Sequence, residues 1–217
     1  RTLDRPNRCD YGFDSGNDIY IESFYEHGFD GTDFVALMFG ERYSCHISVP
    51  GRHVLFAAMA AMAAGSWLGL THSQIEDGIS TAKSLSGRTN IIKASRYTLI
   101  DDCYNANPVS MEAALDVLSH AKGRTIAVLG DMGELGEDEK SLHFGVGKCV
   151  AEKKIHTLFA AGELAAEYKN GVESVENDCK VFHFRERDDM ITELLSYVRE
   201  GDNILIKASH FMDFPKV

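Results

Sequence analysis

Two rhythms of apolar and polar residues divide this chain. Between Asp18 and Val49, β-prone residues gather in three short runs, Ile19 to Tyr25, Asp33 to Phe39 and Tyr43 to Val49, broken by Gly-Phe-Asp-Gly and Gly-Glu. Runs of this length between turn residues predict an antiparallel meander. Pro50-Gly51 ends the strand pattern, and the Ala-rich stretch from Arg52 to Leu68 predicts a buried helix. Thr71-His72-Ser73 then offers capping side chains to a second helix, from Gln74 to about Lys83.

After Ser86-Gly87-Arg88 the rhythm changes. Short apolar runs at Thr89 to Ala94, Tyr97 to Asp101, Thr125 to Leu129, Thr157 to Ala161, Lys180 to Phe184 and Asn203 to Lys207 predict strands. Helical segments are predicted over Pro108 to Ala121, Glu137 to Lys153, Leu164 to Asn170 and Asp188 to Glu200. Strands of continuous apolar character alternating with helices predict an α/β fold with a mostly parallel, Rossmann-like sheet. The polar, Gly-containing stretch Lys83 to Arg88 marks a domain boundary near residues 84 to 88.

Composition narrows the function classes. Of 217 residues, 44% are hydrophobic and 25% charged, the balance of a globular protein with a sizeable core. A formal net charge of -11 repels a polyanionic duplex, so nucleic acid is an unfavourable partner, although a local cationic cluster can still hold a small nucleotide. The longest apolar stretch, Val54 to Leu70, is interrupted by Gly65, Ser66 and Gly69 and falls short of the roughly 20 apolar residues of a membrane span. No membrane insertion is therefore expected. Cys9, Cys45, Cys103, Cys149 and Cys179 are odd in number and form no C-x-x-C pair, which predicts reduced thiols and a cytoplasmic setting. The chain opens on polar Arg1-Thr-Leu-Asp-Arg-Pro without an initiator Met, the start expected of a portion of a longer protein.

In an open α/β sheet, ligands bind at the carboxyl ends of the strands. Three stretches fall there: Asp101 to Pro108, Gly130 to Gly136 and Lys207 to Phe214. The first packs two carboxylates, a phenol and two amides before a helix starting at Pro108; it reads either as a turn with caps or as a ribose- and substrate-binding loop. The second, spaced G-x-x-G-x-x-G, departs from the dinucleotide fingerprint and sets Asp131 and Glu134 where a pyrophosphate would sit. Its acids are either solvated or directed at a cation such as a substrate ammonium. In the third, Lys207, Ser209 and His210 are either a solvated strand end or a site for an anionic group. Gly145-Val-Gly-Lys-Cys149 lacks the first Gly and the final Ser or Thr of a phosphate loop and reads as helix with small residues at a packing contact. No histidine pair has metal-ligand spacing with a carboxylate, so no metal site is expected.

Taken in order, Val49-Pro-Gly-Arg-His53, Ser86-Gly-Arg88, Asp101-Asp-Cys-Tyr-Asn-Ala-Asn-Pro108 with Ser110-Met111 and Ala113-Ala-Leu115, Val128-Leu-Gly-Asp-Met-Gly-Glu-Leu-Gly136, His143 and Lys207-Ala-Ser-His210 resemble the Mur ligase family. Tyr-Asn-Ala-Asn-Pro and Gly-Asp-Met-x-Glu-Leu-Gly are most similar to its D-alanyl-D-alanine-adding branch. The resemblance implies a cytoplasmic ligase, dependent on ATP and magnesium, that activates a carboxylate as an acyl phosphate for attack by an amine. Its partners would be ATP, UDP-N-acetylmuramoyl-tripeptide and D-alanyl-D-alanine. Residues 1–85 would be the end of the central ATP-binding domain, without its phosphate loop, and residues 86–217 the carboxy-terminal domain. Phosphate loop, magnesium ligands and catalytic groups would lie outside this chain, leaving it inactive alone.

By position, Arg88, Asp101 and His53 would contact ATP, the guanidinium fork suiting phosphate and the carboxylate suiting ribose hydroxyls. Asn105, Asn107, Asp131, Glu134, Lys207, Ser209 and His210 would lie near the incoming dipeptide. Two departures stand out: Val54 and Ala57 replace asparagines near adenine, and His210 replaces an arginine, which would make carboxylate binding pH-dependent. The alternatives are another amino-acid-adding ligase of the family, or a non-catalytic nucleotide- or peptide-binding module.

Overall fold

The computed structural model describes residues 8–217. The polar opening, Arg1 to Pro6, lies outside the described residues. The chain divides into two compact units, one ending at Lys83 and one beginning at Ser84.

The first unit carries the expected meander. Strands β2 (Ile19–Glu26), β3 (Thr32–Met38) and β4 (Glu41–Ile47) pair antiparallel, and a two-residue β1 (Tyr11–Gly12) adds to β2 in parallel. Alternate residues bury one face: Ile19 and Ile21, Phe34, Ala36 and Met38, then Tyr43, Cys45 and Ile47. Leu55, Ala58, Met59 and Met62 of helix α1 (Val54–Trp67) and Ile75 and Ile79 of α2 (His72–Ser80) complete that core. Helix α2 starts earlier than the sequence predicts. Thr71 caps it alone, its hydroxyl accepting the Gln74 N–H while the Gln74 side chain returns to the Thr71 N–H.

The second unit is built on six strands in the order β5-β6-β10-β7-β8-β9. Strands β6 (Tyr97–Asp101), β7 (Thr125–Gly130), β8 (Thr157–Ala161), β9 (Lys180–Phe184) and β10 (Asp202–Lys207) are parallel, and β5 (Asn90–Lys93) pairs antiparallel with β6 at the edge. Every residue of β7, β8 and β10 is buried, as a sheet covered on both faces requires. The connecting helices are α3 (Pro108–Ser119), α4 (Glu139–Glu152), α5 (Ala166–Glu173) and α6 (Arg187–Tyr197).

At two helix ends that depart from expectation, a carboxylate accepts the neighbouring backbone N–H groups. Helix α5 begins at Ala166, not Leu164, with the Glu163 and Leu164 N–H groups donating to Asp131. Helix α6 stops at Tyr197, and the Arg199 N–H goes to Asp202. The Gly145–Cys149 segment lies within α4 as a packing surface: a Cβ on Gly147 would stand 2.0 Å from the Tyr168 carbonyl oxygen of α5. Only a residue without a side chain lets those helices approach so closely. Among the described residues no helix is long and apolar enough to cross a membrane, and the five cysteines are unpaired.

Candidate active-site face

The ladder brings Asp101 of β6 beside Ile206 of β10, and Lys207 of β10 beside Leu129 of β7. The loops after β6, β7 and β10 therefore leave the same edge of the sheet, where open α/β sheets hold ligands. Ser209 stitches the three together. It is 3% exposed; its Oγ donates to the Ala106 carbonyl at 3.2 Å and accepts the Gly133 N–H at 2.8 Å, while its own N–H donates to the Asp131 carbonyl at 3.1 Å.

Consecutive residues at a strand end point to opposite sides, and Asp101-Asp102 uses this. Asp101 turns outward: its carboxylate accepts the Gly87 N–H at 2.9 Å and lines a cavity of about 370 Å³ with Ser86, Gly87, Tyr104 and His210. Asp102 turns inward, accepting the Thr89 N–H at 2.9 Å and the Lys207 ammonium at 2.6 Å. Lys207 is 2% exposed and also donates to the Asn105 carbonyl at 2.9 Å. It is thus the last residue of β10 and a buried tie across the site, not a solvated strand end. Such a pair is favourable only because each charge meets a partner with further hydrogen bonds.

Arg88 is exposed, with its guanidinium carbon 4.1 Å above the Tyr104 ring. The Tyr104 N–H donates to the Gly87 carbonyl at 2.9 Å, so the Ser86–Arg88 turn is fastened to both Asp101 and Tyr104. The His210 imidazole also approaches Tyr104, edge-on at 6.3 Å between ring centres. Asn105 and Asn107 are exposed in the same loop, but both amide oxygens are engaged locally: that of Asn105 accepts the Ala106 N–H, and that of Asn107 accepts the Ser110 N–H as the cap of α3. The turn reading of this stretch therefore holds for its backbone, whatever else the amides do.

Asp131 is not a solvated acid. It is 7% exposed, Oδ2 accepts the Glu163 and Leu164 N–H groups at 3.0 and 3.2 Å, and Oδ1 is buried without a hydrogen-bond partner among the described residues. Gly162, at a φ of 129°, gives it room: a Cβ there would sit 2.3 Å from Oδ1. Glu134, exposed and at a φ of 61°, projects from the same loop. His143, fully buried, holds that loop from beneath, accepting the Met132 N–H at 2.9 Å on Nε2, which places its proton on Nδ1 toward the Glu139 carbonyl. His53 stands in the first unit as the exposed residue before α1.

Sequence reasoning named the stretches but missed three roles: Asp102 as the partner of Lys207, Tyr104 as the surface beneath Arg88, and His143 as the support of the second loop. The doubled Asp at a strand end was the available signal for the first. For Tyr104 there was only an aromatic residue within a polar motif.

Known proteins resemble this chain in sequence and in fold. The ligase that joins D-alanyl-D-alanine to UDP-N-acetylmuramoyl-tripeptide in Bacillus subtilis is 33% identical over 211 residues, covering 95% of this chain and 45% of its own length. The Escherichia coli enzyme of the same name is 31% identical, over 94% of this chain and 43% of its own. The chain thus spans less than half the length of these relatives. Among solved structures, MurF from Acinetobacter baumannii superimposes with a TM-score of 0.84 at 26% identity, covering 96% of this chain and 45% of that one. MurF ligase from Thermotoga maritima in complex with ADP shares the fold with a TM-score of 0.78 at 22% identity, covering 96% of this chain and 47% of that one. The family described as Mur ligase, glutamate ligase domain, matches residues 87–210, and the chain therefore belongs to the Mur ligases.

Proposed function

We propose that this chain is the closing half of a cytoplasmic, ATP-dependent amide ligase that adds D-alanyl-D-alanine to UDP-N-acetylmuramoyl-tripeptide. The supporting observation is the fastening of the Ser86–Arg88 turn to Asp101 and Tyr104, which presents a guanidinium and a carboxylate at one edge of the sheet. The first unit, with His53, would be the end of the central ATP-binding domain and the second the carboxy-terminal domain.

In this reading the tripeptide carboxylate attacks the terminal phosphorus of ATP, ADP departs, and the dipeptide amine attacks the acyl carbon and expels phosphate. Arg88 donates in-plane N–H groups to phosphate oxygens, and Asp101 accepts ribose hydroxyls. Asn105, Asn107 and His210 border the dipeptide. Glu134 attracts its ammonium through the field of an exposed acid. Lys207, Ser209 and Asp131 serve by holding the loops, since each is buried and bonded to the chain itself. Among the described residues no three His, Cys, Asp or Glu side chains gather to hold a metal ion, and the magnesium that the family's chemistry implies would be held mainly by parts of the enzyme outside this chain.

Arg88→Ala in the full-length polypeptide should lower ATP-dependent ligation about 10²- to 10³-fold, the cost of losing a preorganised donor to transition-state charge. The 217-residue chain alone should show no ligation. Wild-type rates in the Arg88 variant would overturn the assignment.

A further inference from the structure

We propose that Tyr104 is a positioning residue that sets the direction of the Arg88 guanidinium. An exposed arginine ordinarily samples many rotamers, and an ordered one needs something to hold it. A carboxylate partner would do so at the expense of the N–H donors needed for phosphate. Among the described residues no carboxylate pairs with Arg88. Tyr104 instead lies beneath the guanidinium, with the guanidinium carbon 4.1 Å from the ring centre. The attraction comes from the negative face of the ring and occupies no hydrogen-bond acceptor, so it leaves the N–H donors for a planar fork of phosphate oxygens.

The ring is fixed in its turn. Its backbone N–H is bonded to Gly87, the residue before Arg88, so the distance between the two side chains is set at both ends. One residue before Asp102, Asp101 holds the same Gly87 through its N–H, and Asp102 is anchored to Lys207. The buried pair thereby reaches the exposed guanidinium through two short steps of backbone. Tyr104 is 53% exposed and lines the same cavity as Asp101, so its ring borders both the cation and the carboxylate.

The kinetic part of the test rests on the ligase reading; the spectroscopic part does not. In the full-length polypeptide, Tyr104→Leu should lower kcat for ATP-dependent ligation about two- to fivefold, the worth of an exposed cation–π contact, with little change in the KM for ATP, while Tyr104→Phe keeps the face and stays near wild type. In an Arg88→Ala background, Tyr104→Leu should add nothing, because the interaction it removes is already gone. A role confined to loop packing would give the same loss in both backgrounds and would overturn the proposal.

In the 217-residue chain, nitrogen NMR of arginine side chains should show the Arg88 Nε resonance displaced by the ring, moving to an ordinary exposed position in Tyr104→Leu but not in Tyr104→Phe. An unmoved Arg88 resonance would refute the stack whether or not the protein uses ATP. Absence of ATP-dependent turnover in the wild-type full-length polypeptide, with the resonance moving as described, would instead refute the ligase reading and leave the stack standing.

Discussion

Two carboxylates in this molecule are each held by two partners, in opposite surroundings. Asp33, on the outer face of the meander, accepts from His27 and His46 at 2.7 Å each, and the three side chains are 39% to 56% exposed. Asp102, beneath the candidate site, accepts the Thr89 N–H and the ammonium of Lys207, with side-chain exposures of 12% and 2% for the ion pair. The bond lengths alone would rank the clusters as equals. What separates them is the solvent each has excluded and the span of chain each connects.

Asp33 joins neighbouring strands that the ladder already joins. Asp102 and Lys207 are 105 residues apart, and their contact fixes where the loop after β6 lies relative to the last strand. Water screens the first cluster fully and the second only slightly, so one is an ornament of a stable sheet and the other a determinant of the site's shape.

The comparison breaks most readily at Lys207. Lys207→Met leaves Asp102 buried without its cation and should cost about 3–5 kcal/mol in urea unfolding followed by a probe in the second unit. Adding Asp102→Leu should recover part of that loss, since an apolar pair of similar volume carries no stranded charge. A single-variant loss below about 1 kcal/mol would place this pair with the surface cluster and remove the distinction.

Ser209 tests the same idea with neutral groups. Ser209→Ala removes the acceptor of the Gly133 N–H and the donor to Ala106, inside a site where water cannot replace them. Leaving buried partners unsatisfied should cost about 1–3 kcal/mol. Amide exchange should quicken at Gly133 more than at the centre of β7 if the three loops are truly laced through this hydroxyl; uniform quickening would mean that the change acts on the whole unit instead.

The legible parts of the molecule are those in which the cause is local. The second unit's strands were readable because burial on both faces leaves continuous apolar runs, as at Ile126 to Leu129 and Leu158 to Ala161. The start of α3 was readable because Pro108 and its Asn107 cap are adjacent in sequence. The short β1 was not, since two residues carry no periodicity, nor were the ends of α5 and α6, where Asp131 and Asp202 act from 32 or more residues away and from across a turn, respectively.

The candidate site divides the same way. Asp101 and Ser209 could be placed by their position after strands. The fate of Lys207 could not, because a lysine following an apolar run is read as solvated until a buried carboxylate is found for it. Arg88 could be singled out by resemblance, but its stacking on Tyr104 depends on a turn closed by Gly87 and Asp101 that no spacing rule describes.

The smallest effect is expected at Asp33, and its pH dependence sharpens the contrast. The hydrogen bond from His27, then that from His46, holds the Asp33 carboxyl below its ordinary value. A carboxyl depressed in the folded state contributes stability that is complete above its unfolded value, about 3.9, and is lost as pH falls through the folded value. Exposure limits the amount, because a screened surface pair is worth at most about 1 kcal/mol. Asp33→Asn should therefore lower the melting temperature slightly near pH 5, by an amount that shrinks with acidification below about pH 4 and with salt near 1 M, where the screening length is about 3 Å. A large loss, or one indifferent to both acid and salt, would mean that the meander depends on this carboxylate as the second unit depends on Asp102. Burial would then not be what separates the two.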